Sequence, residues 1–365
     1  MSEALRIARR GEGRVEPNPM VGAVVVRGGK VVGRGYHRRF GGPHAEVFAL
    51  QEAGERARGA TLYVSLEPCC HFGKTPPCTD AIIRAGIRRV VAAMPDPNPL
   101  VAGKGIDRLR TAGVEVAVGV LEAEARRLNA PFVKLMVTRT PFVIAKWAMS
   151  LDGKIATARG ESRWISSDVS RRFVHSLRGT VDGLVVGIGT VLRDDPRLLA
   201  EGSPRRIATR IVLDSKARTP LESKLVQTIG AAPLLVVATE RARQVRVNEL
   251  RSRGAEVLLL AETGGRPDIR SLLKILGERQ FTKLLVEGGG SLLASFFEDR
   301  LVDRVHAFIA PKLIGGRTAP TPFDGTGFAH LRDILHVRDM SYRRMGPDIL
   351  LTAELGLLPA PCLRR

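Results

Sequence analysis

The sequence predicts two successive α/β layered domains. Three observations predict it. The chain has 365 residues, enough for two domains with room for a third. Short β-rich runs alternate with amphipathic stretches throughout, with no internal repeat or low-complexity tract. Pro131 and the Thr140-Pro141 step punctuate the chain near Arg139. The boundary expected from this is 1–140 and 141–358, with 359–365 as a flexible tail.

Taken in order, the first domain should place strands at 21–27, 30–35, 61–66, 90–94 and 114–118. Helices should cover 3–10, 44–53, 78–85, 105–112 and 121–130. The second domain should carry strands at 142–148, 183–186, 207–213, 233–238, 256–260, 283–286 and 304–309. Helices at 167–178, 241–253, 271–279 and 292–297 fall between them. An antiparallel pair at 336–344 and 348–355 should close it. Cys362, in the tail, has no evident partner in the sequence.

Composition narrows the function classes. The hydrophobic content of 44% is ordinary for a globular protein, and no apolar run is long enough to span a bilayer. The N-terminus MSEALRIARRGEGR lacks a hydrophobic signal core, so a cytoplasmic protein is expected. The net charge of +20 suggests a polyanionic partner. The arginines are dispersed, however, and many sit beside acids, as in Glu122-Ala-Glu124-Ala-Arg126-Arg127. Aromatic residues are only 5%, too few for many base-stacking platforms. Nucleic acid is therefore disfavoured, and a phosphorylated small substrate would explain a local basic pocket.

The chemistry of the first half lies in its cysteines. Three of the four, Cys69, Cys70 and Cys78, lie close together, and His44-Ala45-Glu46 precedes them. His44 with two thiolates makes a three-ligand zinc site whose fourth position is open, as catalytic zinc requires. Zinc lowers the pKa of water from about 15.7 to about 7, so hydroxide is available to attack an amidine carbon. Glu46 is free to carry the proton to departing ammonia. This is the layout of zinc nucleobase deaminases, with a longer Cys–Cys gap. Helices beginning near His44 and Cys78 would aim roughly half a positive charge each at the metal. A closed zinc knuckle of Cys69, Cys70, Cys78 and His71 is the structural alternative, but it leaves His44 and Glu46 without a role. A disulfide is disfavoured in a reducing compartment.

In the second half, glycine turns follow predicted strands at Gly187-Ile188-Gly189-Thr190 and Gly288-Gly289-Gly290-Ser291. Strand, glycine turn and helix N-terminus together make an anion site of backbone N–H groups. Neither turn matches G-x-G-x-x-G, so a Rossmann domain is not supported, while the pair favours a dinucleotide. Lys146, Ser150 and Asp152 read on spacing alone as a strand end and a capped turn.

Together the motifs resemble a known family. They are Pro17-Asn18-Pro19, His44-Ala45-Glu46, Glu67-Pro68-Cys69 through Pro77-Cys78 and Asp96-Pro97-Asn98-Pro99. In the second half they are Lys146, Ser150-Leu151-Asp152-Gly153, Gly160-Glu161-Ser162 with Trp164, and Thr190 with Asp194-Asp195-Pro196. Val286-Glu287-Gly288-Gly289 and Ala310-Pro311-Lys312 complete the set. The chain resembles the bifunctional riboflavin-biosynthesis pyrimidine deaminase–reductases over nearly its whole length.

That resemblance implies a cytidine-deaminase-like three-layer domain followed by a dihydrofolate-reductase-like domain. The first would deaminate 2,5-diamino-6-(5-phosphoribosylamino)pyrimidin-4-one, and the second would reduce the ribosyl group to ribityl with NADPH. His44, Cys69 and Cys78 would bind Zn2+, with Glu46 as proton shuttle and Asn18, His37 and His71 around the pyrimidine. The cofactor would lie near Met149, Trp164, Thr190, Asp194, Ser215, Gly289, Gly290 and Ser291. The reductase substrate would meet Lys146, Asp152, Ser162, Arg178, Leu198 and Glu287. A homodimer or tetramer through the second domain is also implied. Two departures stand out: Cys70 replaces the usual Ser, and Glu201 stands where the family has an Arg. Arg197, Arg205 or Arg206 would then have to grip the substrate phosphate. The competing functions are a nucleic-acid (tRNA) deaminase, and a non-catalytic zinc-stabilised RNA-binding module.

Overall fold

A computed structural model describes residues 1–73, 75–202 and 204–356. The expected tail and Cys362 lie outside the described residues. The chain forms two compact units that divide after Arg139.

In the first unit the order is α1 (Ser2–Ala8), β1 (Gly22–Arg27), β2 (Lys30–Tyr36), α2 (Ala45–Ala53), β3 (Thr61–Val64) and α3 (Cys78–Arg84). Then come β4 (Arg89–Ala92), α4 (Lys104–Thr111), β5 (Glu115–Val118), α5 (Glu122–Leu128) and α6 (Ala130–Thr138). The sheet runs β2-β1-β3-β4-β5. β1 is antiparallel to β2 and β3, and β3, β4 and β5 are parallel. Small residues set how closely α2 lies on this sheet. Ala45, Ala49 and Ala53 form its buried face. A Cβ on Gly33 or Gly35 would come within 2.1 Å of a carbonyl of Ala49 or Ala45. This close contact places His44 and Glu46, at the start of α2, over the sheet. Ala23, Leu62, Val64, Ile82, Val90 and Leu109 fill the core beneath.

The expected single helix over 121–130 is two. Pro131 starts α6 rather than ending the domain. Its missing N–H falls in the first turn, where no helical partner is needed.

The second unit contains β6 (Phe142–Ser150), α7 (Asp168–Arg178), β7 (Gly183–Gly187), α8 (Ile188–Asp194), β8 (Thr209–Leu213) and α9 (Lys224–Gln227). They are followed by β9 (Leu234–Ala238), α10 (Gln244–Ser252), β10 (Glu256–Leu259), the two-residue strands β11 (Glu262–Thr263) and β12 (Arg266–Pro267), and α11 (Ile269–Glu278). β13 (Lys283–Glu287), α12 (Gly290–Glu298), β14 (Arg304–Ala310), β15 (Arg338–Met345) and β16 (Asp348–Glu354) complete it. Nine strands form one sheet in the order β10-β9-β8-β7-β13-β6-β14-β16-β15. β6 to β10, β13 and β14 are parallel, and β16 and β15 add an antiparallel edge. The parallel strands read as continuous apolar runs because helices cover both faces, and every residue of β9 is buried. Val143, Val185, Ile211, Leu235, Leu276, Leu284 and Phe296 anchor that core.

Candidate active sites

His44 stands immediately before α2 and Cys78 opens α3, so two helix N-termini meet at one point. His44 Nδ1 lies 3.1 Å from Cys78 Sγ and 3.4 Å from Cys69 Sγ. The Cys78 backbone N–H donates to Cys69 Sγ at 3.3 Å. The three ligand atoms all lie within 4.8 Å of one another. Around a tetrahedral zinc such atoms stand about 3.5–4 Å apart, so the set fits the metal. A hydrogen bond from Cys78 comes first in holding the Cys69 thiol down at about 4, and the same bond pushes Cys78 up. A coordinated metal displaces that shared proton. Cys70 lies outside this group and is half-buried. The closed knuckle is therefore not the arrangement formed.

Glu46 is buried in the first turn of α2, and burial pushes its carboxyl up to about 6. Its Oε2 has no hydrogen-bond partner. A buried carboxylate oxygen left unpaired beside a metal site is suited to take a proton from water. Asn18 and His37 form a second layer. The His37 Nδ1–H donates to the Pro43 carbonyl at 3.0 Å, which leaves Nε2 to accept from Asn18 Nδ2 at 3.2 Å. Burial lowers the His37 pKa and keeps the ring neutral. Its ring meets that of His44 edge-on at 5.4 Å. His37 thus orients Asn18 and braces a ligand. His71 is half-buried with Nδ1 unpartnered.

Sequence reasoning passed over Glu67. Its buried carboxylate accepts four backbone N–H groups, from Asp96, Gly103, Gly105 and Ile106, at 3.0 to 3.2 Å. It ties the Asp96-Pro97-Asn98-Pro99 loop and the start of α4 to the segment carrying Cys69. Gly105 must be glycine, since a Cβ there would lie 2.0 Å from the Pro68 carbonyl. The available signal was an acid beside Pro-Cys and upstream of a second Pro-rich loop.

In the second unit a cavity of about 1430 Å³ opens at the carboxyl ends of the parallel strands. It gathers Lys146, Ser162, Trp164, Arg178, Thr190, Asp194, Leu198, Ser215, Glu287, Gly289, Gly290 and Ser291. Strand register sets its polar centre, because Lys146 on β6 pairs with Glu287 on β13. Arg178 grips Glu287 with two bonds, Nε to Oε1 at 2.8 Å and Nη2 to Oε2 at 2.9 Å. Lys146 Nζ stands 3.8 Å from the same carboxylate. Burial alone would raise Glu287, but Arg178 and Lys146 outweigh it and hold the carboxyl at about 2. Burial also lowers the Lys146 pKa.

Met149 and Asp152 do not reach this cavity. The Asp152 carboxylate accepts from Ser150 Oγ at 2.6 Å and from the N–H groups of Ile314 and Gly315 at 3.1 and 2.6 Å. Those bonds pull its pKa to about 2 and fix a loop. Trp164 stands at the edge of the cavity. It is 61% exposed at the rim, with Arg171 4.2 Å over its ring and Lys312 Nζ donating to its carbonyl at 2.7 Å.

Residues 141–351 match the family model of the RibD C-terminal domain, and residues 1–94 match the cytidine and deoxycytidylate deaminase zinc-binding region. The riboflavin biosynthesis protein RibD of Aquifex aeolicus is 44% identical over 352 residues, 96% of each chain. The Escherichia coli protein of that name is 41% identical over 369 residues, 96% of this chain and 97% of the other. The chain belongs to the RibD family. Solved structures agree. RibD of Acinetobacter baumannii superposes with a TM-score of 0.85 at 37% identity over 98% of both chains. A Thermotoga maritima protein described as a diaminohydroxyphosphoribosylaminopyrimidine deaminase/5-amino-6-(5-phosphoribosylamino)uracil reductase superposes at 0.83 with 36% identity. It covers 98% of this chain and 97% of its own. The RibD fold is thus a cytidine-deaminase-like unit followed by the RibD reductase unit, and the enzyme is a deaminase and reductase of riboflavin biosynthesis. The nucleic-acid deaminase and the non-catalytic module are not favoured. Among the described residues no helix is long and apolar enough to cross a membrane.

Proposed function

We propose that residues 1–140 deaminate 2,5-diamino-6-(5-phosphoribosylamino)pyrimidin-4-one and that residues 141–358 then reduce its ribosyl group to ribityl with NADPH. The carrying observation is the His44, Cys69 and Cys78 cluster with the unpaired Glu46 oxygen beside it. His44, Cys69 and Cys78 would hold a zinc, which when bound would supply an acidified water for the attack. Glu46 takes the proton and passes it to the leaving ammonia. With its amide N–H committed to His37, Asn18 leaves Oδ1 to accept from the pyrimidine. His71 faces the same substrate.

In the second unit NADPH supplies hydride, and the closed ribosylamine must first open to an imine. Lys146, its ammonium weakened by burial, lends the proton for that opening, while Glu287, itself held by Arg178, keeps it in place. Ser162 and Leu198 complete the substrate wall. Thr190, Asp194, Ser215 and the glycine turn through Ser291 receive the cofactor, with Trp164 at the rim. The Glu201 carboxylate lies 3.1 Å from His175 Nε2, and Arg206 is engaged by Asp182 at 2.5 Å. Of the three candidate arginines only Arg197 lines the cavity, so it is assigned to the substrate phosphate. A cytoplasmic homo-oligomer built through the second unit is part of the same reading. It is supported by the outer strand β15, where Met340 and Tyr342 are exposed, and light scattering reads it.

The test is to add the diamino substrate to zinc-loaded protein with NADPH, following ammonia and NADPH together. Ammonia first and NADPH loss after it is expected. Ammonia without NADPH loss would refute the second assignment, and neither signal would refute both.

A further inference from the structure

Arg210 lies within β8, between Leu184 and Leu234 of the adjacent strands, and is 0% exposed. Among the described residues no carboxylate pairs with it. Its acceptors are uncharged. Nη1 donates to the Arg197 carbonyl at 3.2 Å and to Thr228 Oγ1 at 2.6 Å. Nη2 donates to the carbonyls of Thr228 at 3.0 Å and Ala232 at 2.5 Å, and Nε has no acceptor. Burial without a counter-charge lowers its pKa to about 10, an energetic cost to the fold. An apolar side chain would serve the sheet without that cost. The guanidinium ties two separate segments to β8 instead, the turn at Thr228–Ala232 and the stretch at Arg197, and the latter borders the cavity.

That segment has an unusual backbone. Asp195 and Leu198 have φ of 40° and 52°, both left-handed without being glycine. Such conformations persist only where their surroundings over-determine them. The Asp195 end is held by α9, since Oδ1 accepts the Lys224 N–H at 2.8 Å and Oδ2 lies 3.4 Å from Lys224 Nζ. Arg210 holds the other end through the Arg197 carbonyl. Arg197 and Leu198 both line the cavity.

We propose that Arg210 is a positioning residue for the reductase, its buried guanidinium fixing the Arg197–Leu198 wall against the phosphoribosyl substrate. This rests on the assignment of that wall to the substrate. It is tested with R210M in the full chain, using the deaminated intermediate and NADPH, with ammonia release from the diamino substrate as the control for the first unit and NADPH binding as the control for folding of the second. The KM for the intermediate should rise about tenfold, with kcat, the NADPH Kd measured by fluorescence quenching, and the deaminase rate all within about twofold. R210K, which keeps the charge but not the planar fork, should fall between R210M and wild type. It carries the test alone if R210M does not accumulate. An unchanged KM in the folded variant would overturn the proposal. So would an NADPH Kd that rises in step with KM, which would mark general loosening of the unit. Failure of the wild type to reduce the intermediate would instead sink the substrate assignment, and this proposal with it.

Discussion

The two sites are built on opposite plans. The zinc site is local: His44, Cys69 and Cys78, with Glu46, the proton carrier proposed above, come from two helix starts and the segment between them, within residues 44–78. The reductase cavity is assembled from distant pieces, with Lys146, Arg178, Glu287 and Ser291 brought together by strand order. A local site depends on a few indispensable atoms. A dispersed one depends on supports that never touch the ligand. Damage to the first should therefore be near total and confined to one activity, while damage to the second should be graded.

The largest effect is expected from Cys78→Ser, or from stripping zinc with a chelator. Either should lower ammonia release at least about a thousandfold while reduction of the deaminated intermediate continues. Metal analysis should show one zinc per wild-type chain and none in the variant. Parallel loss of reduction would break the comparison.

Glu287→Gln comes next. It removes the buried charge that pairs with two half-buried cations, so the second unit should lose about 3 kcal/mol and most of its reductase rate. Denaturant melts of the reductase unit read the first, and NADPH oxidation the second. The carboxylate also sets an acid limit. Its folded pKa of about 2 lies below its unfolded value, so its stabilisation is complete above about pH 4.5. It is lost as pH falls toward 2. In E287Q that part of the acid dependence should vanish.

Glu67→Gln should be milder. Its four backbone contacts weaken without disappearing, so zinc should leave about tenfold faster, with small loss of turnover in excess zinc. Zinc release to a colorimetric chelator measures it. The smallest effect is expected from Glu201→Arg. It replaces a carboxylate lining the cavity with a phosphate-binding fork, and the KM of the intermediate should fall about threefold. A rise in KM would show that the His175–Glu201 pair shapes the pocket and that Arg197 is not enough.

The same contrast explains what was legible in the sequence. His44, Glu46, Cys69 and Cys78 could be read because coordination chemistry restricts both residue type and spacing. The layered alternation of strands and helices was legible for a similar reason, since burial imposes its periodicity on the residues. Glu67 was not, because it acts through backbone N–H groups as far away as Ile106, which carry no side-chain signature. His37 was read as a pocket residue, and only its two hydrogen bonds reveal it as the support of Asn18. In the second unit the Lys146–Glu287 pair depends on the register of β6 and β13, which no local pattern encodes. The bonds of the Asp152 carboxylate to the backbone of Ile314 and Gly315 could not be read either, because their partners lie far along the chain. Arg210 looked like an ordinary strand residue, and only its full burial exposes its role. Pro131 misled because proline both ends and begins helices.

The independence of the two sites is the central claim, and Glu46→Gln tests it most directly. The variant keeps the side-chain shape and the zinc ligands but cannot accept the proton. Given the diamino substrate, it should release no ammonia above background. Given the deaminated intermediate and NADPH, it should oxidise NADPH at the wild-type rate. A folded, zinc-loaded variant that fails in both would contradict the account. It would mean that the two units share one catalytic apparatus.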